Sequence, residues 1–192
     1  MSLQGHPKIL SKEVIDFCKK VSPNTEAVFL DVILDSDAKK LDCFENVKKY
    51  QHAHNGSIQY GWLIWEWPNV MIEGEFHAVW LSPNGKLVDV TPNEENFSRV
   101  LFLPDQSRSY EGAQVNNIRR SLKKSRVVRK YIDTHDKLYK AMNKGELAGH
   151  HGSLTLTPHM IELMKQNKTF FVQILQEEYG ADWQKYLKSQ SN

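Results

Sequence analysis

The chain has 192 residues, 40% hydrophobic and 25% charged, with five tryptophans and a formal net charge of +2. Such a length buries a sizeable core in one domain, and such a composition excludes disordered and fibrous classes. The charge is too small to announce a nucleic-acid partner by itself, no apolar run approaches the roughly 18 residues of a membrane span, and two cysteines cannot build a disulfide framework.

The N-terminal MSLQGHPKIL lacks the charged start and long apolar stretch of a signal peptide, which predicts a cytoplasmic protein with Cys18 and Cys43 both reduced. SKEVIDFCKKVSP places Val14, Ile15, Cys18 and Val21 at helical spacing behind a capping Ser11, and Pro23 ends the run. Cys18 therefore reads as a small buried hydrophobe. EAVFLDVIL, apolar and β-branched, reads as a strand.

DCFENVKKYQHAHNG carries its own punctuation. Asp42 followed three residues later by Glu45 predicts a capping box, and Asn55-Gly56 a left-handed stop, which puts Cys43 at the first helical position. Unpaired N–H groups and the positive end of the helix dipole favour a thiolate there. The alternative is that a small side chain simply packs at that point.

SIQYGWLIWEWP, VMIEGEFHAVWLS and KLVDVTP read as three strands separated by Pro68-Asn69 and by Pro83-Asn84-Gly85. Alternation sets Met71, Glu73, Glu75, His77 and Val79 on one face of the second strand. A three-residue turn with Gly85 in a bulge pairs Ser82 with Lys86 and brings Asp89 opposite Val79, diagonal to His77 on the same face. A two-residue Asn-Gly loop would instead throw Asp89 to the other face.

A cysteine at a helix start, a histidine on a strand and an aspartate on the adjoining strand suit nucleophilic acyl chemistry. In order and context, DCFENV opening a helix and EFHAVW followed by LVDVTP resemble the papain-like cysteine superfamily, most closely its transglutaminase-like branch, over about residues 40 to 92. They are also similar to uncharacterised bacterial proteins. The preceding DSDAKKL has no Gln to act as the papain side-chain oxyanion donor, and Phe44 follows the cysteine where Trp is usual. The resemblance implies Cys43 as nucleophile, His77 as general base and acid, Asp89 as its orienter, a peptide or small acyl or amide substrate, and no cofactor. The fold it implies is α+β, papain-like, with an antiparallel sheet packed against the Cys43 helix over residues 1–110 and a helical extension over 111–192.

Metal binding is the rival, but His52 and His54 point apart on a helix, His150-His151 sit in a Gly-flanked loop, and neither pair has a known motif's spacing. A ligand set of Cys43, His77 and Glu75 is the remaining metal alternative, while His6, His135 and His159 read as solvated or capping residues. YGWLIWEWP has large apolar side chains on both faces, as a strand covered on both sides would. Trp62 and Trp65, with Glu75 on the His77 face, are the candidate substrate-binding residues.

Residues 119–130 carry seven Arg and Lys and no acid, on a pattern of Ile118, Leu122, Val128, Tyr131 and Ile132 that predicts a helix. Its basic face is a solvated surface or, on the alternative reading of the chain as a non-catalytic binding module for a metal or a polyanion, a polyanion or nucleic-acid site. A last helix begins at Thr157-Pro158 and is predicted to turn Ile161, Met164, Phe171, Ile174 and Leu175 to the core.

Overall fold

The computed structural model describes residues 3–33, 35–93, 96–145, 147 and 155–185. Its elements in chain order are α1 (Lys12–Val21), β1 (Val28–Val32), α2 (Cys43–His54), β2 (Ser57–Trp67), β3 (Met71–Leu81), β4 (Leu87–Asp89), β5 (Arg99–Pro104), β6 (Ile118–Ser121), α3 (Arg126–Met142) and α4 (Pro158–Tyr179).

The long β2–β3 hairpin, paired without a break from Ser57↔Leu81 to Trp67↔Met71, is the spine. Around it the strands run β2-β5-β1-β4-β3, and the β2–β3 pairing closes them into a five-stranded barrel, with β6 added outside on β3. The expected antiparallel sheet is thus corrected to a mixed, closed one, because β1 and β4 run parallel with Asp31 opposite Val88. A parallel pair needs a long crossover, here supplied by α2 and the β2–β3 hairpin together.

Closure divides each strand's two faces into lumen and exterior. Leu30, Val32, Leu63, Trp65, Val79, Leu87, Val100 and Phe102 come from all five barrel strands and pack on one another inside. Outside, α1 lays Val14, Phe17 and Cys18 on Trp62, Ile64, Ile72 and Phe76. Helix α2 sets Val47 on Ala78, Val88 and Val90. Val128 of α3 and Ile174 and Leu175 of α4 cover Trp67, Val70 and Met71 at the far end of the hairpin. Each such apolar side chain contributes about 1.5–3 kcal/mol when fully buried.

One glycine makes the closure possible. Gly61 pairs with His77 on one side and Pro104 on the other, and a Cβ there would stand 2.3 Å from the Leu103 carbonyl oxygen and 2.5 Å from the Phe102 ring.

Three expectations shift. The segment before the third helix is not helical: Ile118–Ser121 forms β6, with Arg119 directly opposite Glu73, and the helix begins only at Arg126 behind a Ser125 cap. An extended backbone is what lets the Arg119 guanidinium lie along Glu73, at 2.8 Å. Residues beyond 110 therefore supply a strand as well as helices. In α1 it is Phe17 that is buried, while Ile15 is 37% exposed. In α4 Met160 and Leu163 are buried, while Ile161 and Met164 lie outward. Both helices carry two adjacent apolar stripes, and the packing partner selects between them.

Candidate active site

The turn after β3 has the bulged form. Ser82 N–H donates to the Lys86 carbonyl, Gly85 N–H donates to that of Ser82, and Gly85 takes φ of +85°. Trp80 then pairs with Val88 and Leu81 with Leu87, so the count carries Asp89 opposite Val79. Its side chain enters the lumen beside His77, with Asp89 Oδ2 3.1 Å from His77 Nε2 and both residues buried. The other carboxylate oxygen accepts the Thr91 N–H at 2.9 Å, which fixes the carboxylate's orientation.

The opening for a third partner comes from how β3 changes neighbours. It pairs with β6 over Met71–Gly74 and with β4 at Trp80–Leu81, leaving 75–79 without a strand partner on that edge among the described residues. The first turn of α2 comes to this gap. Cys43 is its first helical residue, buried, and its sulfur lies close enough to His77 to raise the proton affinity of the imidazole. Since Nε2 faces Asp89, the nitrogen left for the sulfur is Nδ1. The structure thus brings Cys43, His77 and Asp89 together in one chain of contacts.

Burial opposes a charge on His77. The Asp89 carboxylate and the Cys43 sulfur, through their charges and their hydrogen bonds, outweigh it and hold the imidazole pKa well above 6.5. Both contacts favour the imidazolium over the neutral ring. Cys18 is the contrast: buried against α1's partners, its thiol is pushed up to about 11, chiefly by burial.

The start of α2 is held in an unexpected way. The capping box does not form: Asp42 makes no side-chain cap, with φ −126° and ψ 45° in place of the extended conformation a cap requires, and Leu41 before it has φ of +62°. Asn46 does the work of tethering. Its Oδ1 accepts the Lys39 N–H at 2.9 Å, its Nδ2 donates to the Lys39 carbonyl at 2.7 Å, and it reaches Thr91 Oγ1 at 3.4 Å. One buried amide therefore binds the loop before the cysteine to Thr91, two residues beyond Asp89. The N–H groups of the first turn are not taken by the Asp42 carboxylate, which leaves them for an anion at the helix start.

Cys43, His77 and Asp89 line a cavity of about 410 Å³ at the barrel mouth, together with Trp65, Glu75 and His6. Trp65 is partly buried and donates its indole N–H to Glu75 Oε2 at 2.8 Å. Trp62 is not at the cleft: it is 1% exposed on the opposite face of β2, packed under α1 with its N–H on Asp105 at 3.0 Å. The alternation that puts Trp65 inside the barrel necessarily puts Trp62 outside it. Among the described residues no cluster of three or more His, Cys, Asp or Glu is arranged to hold a metal ion, so Cys43, His77 and Glu75 do not form the alternative ligand set. His150 and His151 lie outside the described residues.

His6 corrects its expected place as a solvated residue. It sits in the cleft with its ring 4.1 Å from that of Trp65, and Nδ1 donates to the Ile64 carbonyl at 2.8 Å. His135 is likewise packed, edge-on to Tyr131, while His159 is exposed. Nothing near His6 in sequence marks it, because the Gly5–Glu66 bridge that docks the N-terminus on β2 spans some sixty positions. Asn46 offered a signal, an amide at the fourth helical position with no apolar role.

At the far end of the cavity Glu73 is closed off by Arg119 at 2.8 Å, Gln4 at 2.8 Å and Asn117 at 2.6 Å. No protein-family profile, curated protein or solved structure matches the chain.

Proposed function

We propose that the chain is a thiol-dependent hydrolase or acyltransferase acting on an amide or acyl bond, with the papain-like, transglutaminase-like arrangement its motifs resemble. One observation carries the reading: sulfur, imidazole and carboxylate line one cleft, with the imidazole hydrogen-bonded to the carboxylate and the sulfur close beside it. In this reading His77 takes the Cys43 proton on Nδ1 while Asp89 holds Nε2–H. The thiolate attacks the substrate carbonyl carbon, forming a C–S bond as the carbonyl electron pair moves to oxygen, where the first-turn N–H groups of α2 stabilise it. Collapse breaks the bond to the leaving group, which receives the imidazolium proton, and leaves a thioester on Cys43. Water or an amine, deprotonated by His77, then attacks the thioester and releases the thiolate. Trp65 and Glu75 line the substrate's side of the cleft.

Alkylation by iodoacetamide across pH tests it, with Cys18 as the internal control. Rapid modification of Cys43 at pH 6, lost in His77→Ala, is the expected result. Slow and equal modification of both thiols would remove the reading.

A further inference from the structure

We infer that the cleft beside Cys43 binds a cationic group rich in N–H donors, an ammonium or a guanidinium, between Glu75 and His6. The inference rests on the reading of Cys43 as the nucleophile and names the substrate class for that site. His6 Nδ1 donates to the Ile64 carbonyl, so the ring's lone pair is on Nε2, and Nε2 is buried with no hydrogen-bond partner. Burial holds the His6 pKa at about 4, which keeps the ring neutral and Nε2 an acceptor at neutral pH.

Glu75 presents the complementary feature. Its Oε2 takes the Trp65 N–H, and no Lys, Arg or His among the described residues pairs with it. Trp65 holds both acceptors in place, one through its N–H and the other through its ring face. Glu73, two residues earlier on the same strand face, shows what a satisfied carboxylate looks like here, with Arg119, Gln4 and Asn117 all upon it. Of the described residues lining the cavity, Lys40 is the one Lys or Arg, and it is exposed at the rim. An aromatic wall carrying one carboxylate and one orphaned neutral acceptor, to which no described donor but the Trp65 N–H is hydrogen-bonded, suits a cation that donates more than one hydrogen bond. The substrate accordingly carries an ammonium or guanidinium close to the carbonyl that Cys43 attacks.

Charge-marked thiol reagents test this without knowledge of the substrate. The full chain is treated with aminoethyl, methyl and sulfonatoethyl methanethiosulfonate, which are cationic, neutral and anionic. In each case the Cys43 thiolate displaces methanesulfinate and forms a mixed disulfide. Rates are divided by those for free 2-mercaptoethanol. The expected result is a cationic-over-anionic preference at Cys43 of about tenfold or more, as one unscreened carboxylate nearby would give. Glu75→Gln, which keeps an acceptor for the Trp65 N–H, should collapse that ratio towards one. His6→Phe, which keeps the ring stack and removes the lone pair, should lower the cationic-over-neutral ratio. A wild-type ratio near one, or a ratio untouched by Glu75→Gln, overturns the inference while rapid reaction with the neutral reagent leaves the nucleophile reading standing. Slow reaction of wild-type Cys43 with the neutral reagent overturns both.

Discussion

Asp89→Asn alters charge and almost nothing else, and its consequence can be worked from the contacts. Thr91 N–H donates to Oδ1 at 2.9 Å, so an asparagine keeps its oxygen there and turns its amide nitrogen towards His77 Nε2. Two donors cannot face each other. The imidazole must then carry its proton on Nδ1, against the sulfur, where it can no longer accept the thiol proton. The lost charge-assisted hydrogen bond is worth about 1.5–3 kcal/mol, and its loss lowers the His77 pKa. The thiolate–imidazolium pair at pH 6 should fall by about 10–100-fold, and the alkylation rate of Cys43 with it. The assay is iodoacetamide labelling read by peptide mass spectrometry, with ¹⁵N chemical shifts of the His77 ring to identify the tautomer. There is also a stability signature. The folded pKa of His77 is raised, so its contribution is fully present below 6.5 and is lost as pH rises through the folded value. The stability gap between wild type and Asp89→Asn should therefore narrow at alkaline pH. An unchanged labelling rate at pH 6 with His77 still protonated on Nε2 would refute the reasoning.

Other substitutions test the scaffold. Gly61→Ala drives a Cβ into the Leu103 carbonyl and the Phe102 ring at the barrel seam, which should cost about 3 kcal/mol and lower Tm by about 6–12 °C by calorimetry. Because Gly61 lies opposite His77, Cys43 labelling should slow as well. Arg119→Met leaves Glu73, whose side chain is 12% exposed, with the neutral donors Gln4 and Asn117 but without its cation, at a cost of about 3–5 kcal/mol in urea unfolding, and adding Glu73→Gln should recover part of the loss. His6 is held neutral with a pKa near 4, so the unfolded chain binds the extra proton below 6.5. Stability present above 6.5 should decline by up to about 2–3 kcal/mol as pH falls towards 4, and that decline should shrink in His6→Phe.

What the sequence revealed of the site was local. Pro83-Asn84-Gly85 set a turn whose register delivers Asp89 to the His77 face, and Asn55-Gly56, both at positive φ, ended the helix that Cys43 begins. Strand alternation also separated the two faces of β2 correctly, although it gave no means of knowing that the Trp62 face would be sealed by α1. The unread parts depend on contacts distant in the chain. The parallel β1–β4 pair joins residues 57 positions apart, and no periodicity reports a strand's partner, so closure into a barrel was invisible. Residues 118–121 were absorbed into a helical pattern because four residues carry too little alternation to compete with the helix that follows. His6 reached the cleft through one bridge to β2, and the Asp42–Glu45 capping box was defeated by a backbone that enters the helix from a left-handed Leu41.

The central claim is a covalent acyl intermediate on one sulfur, and p-nitrophenyl acetate tests it most directly. Rapid quenching and intact-mass analysis should find one acetyl group per chain, mapped to Cys43, appearing with a stoichiometric burst of nitrophenolate and absent in Cys43→Ala. In His77→Ala both formation and breakdown of the adduct should slow. Acetylation that misses Cys43, or that modifies Cys18 at the same rate, would contradict the account.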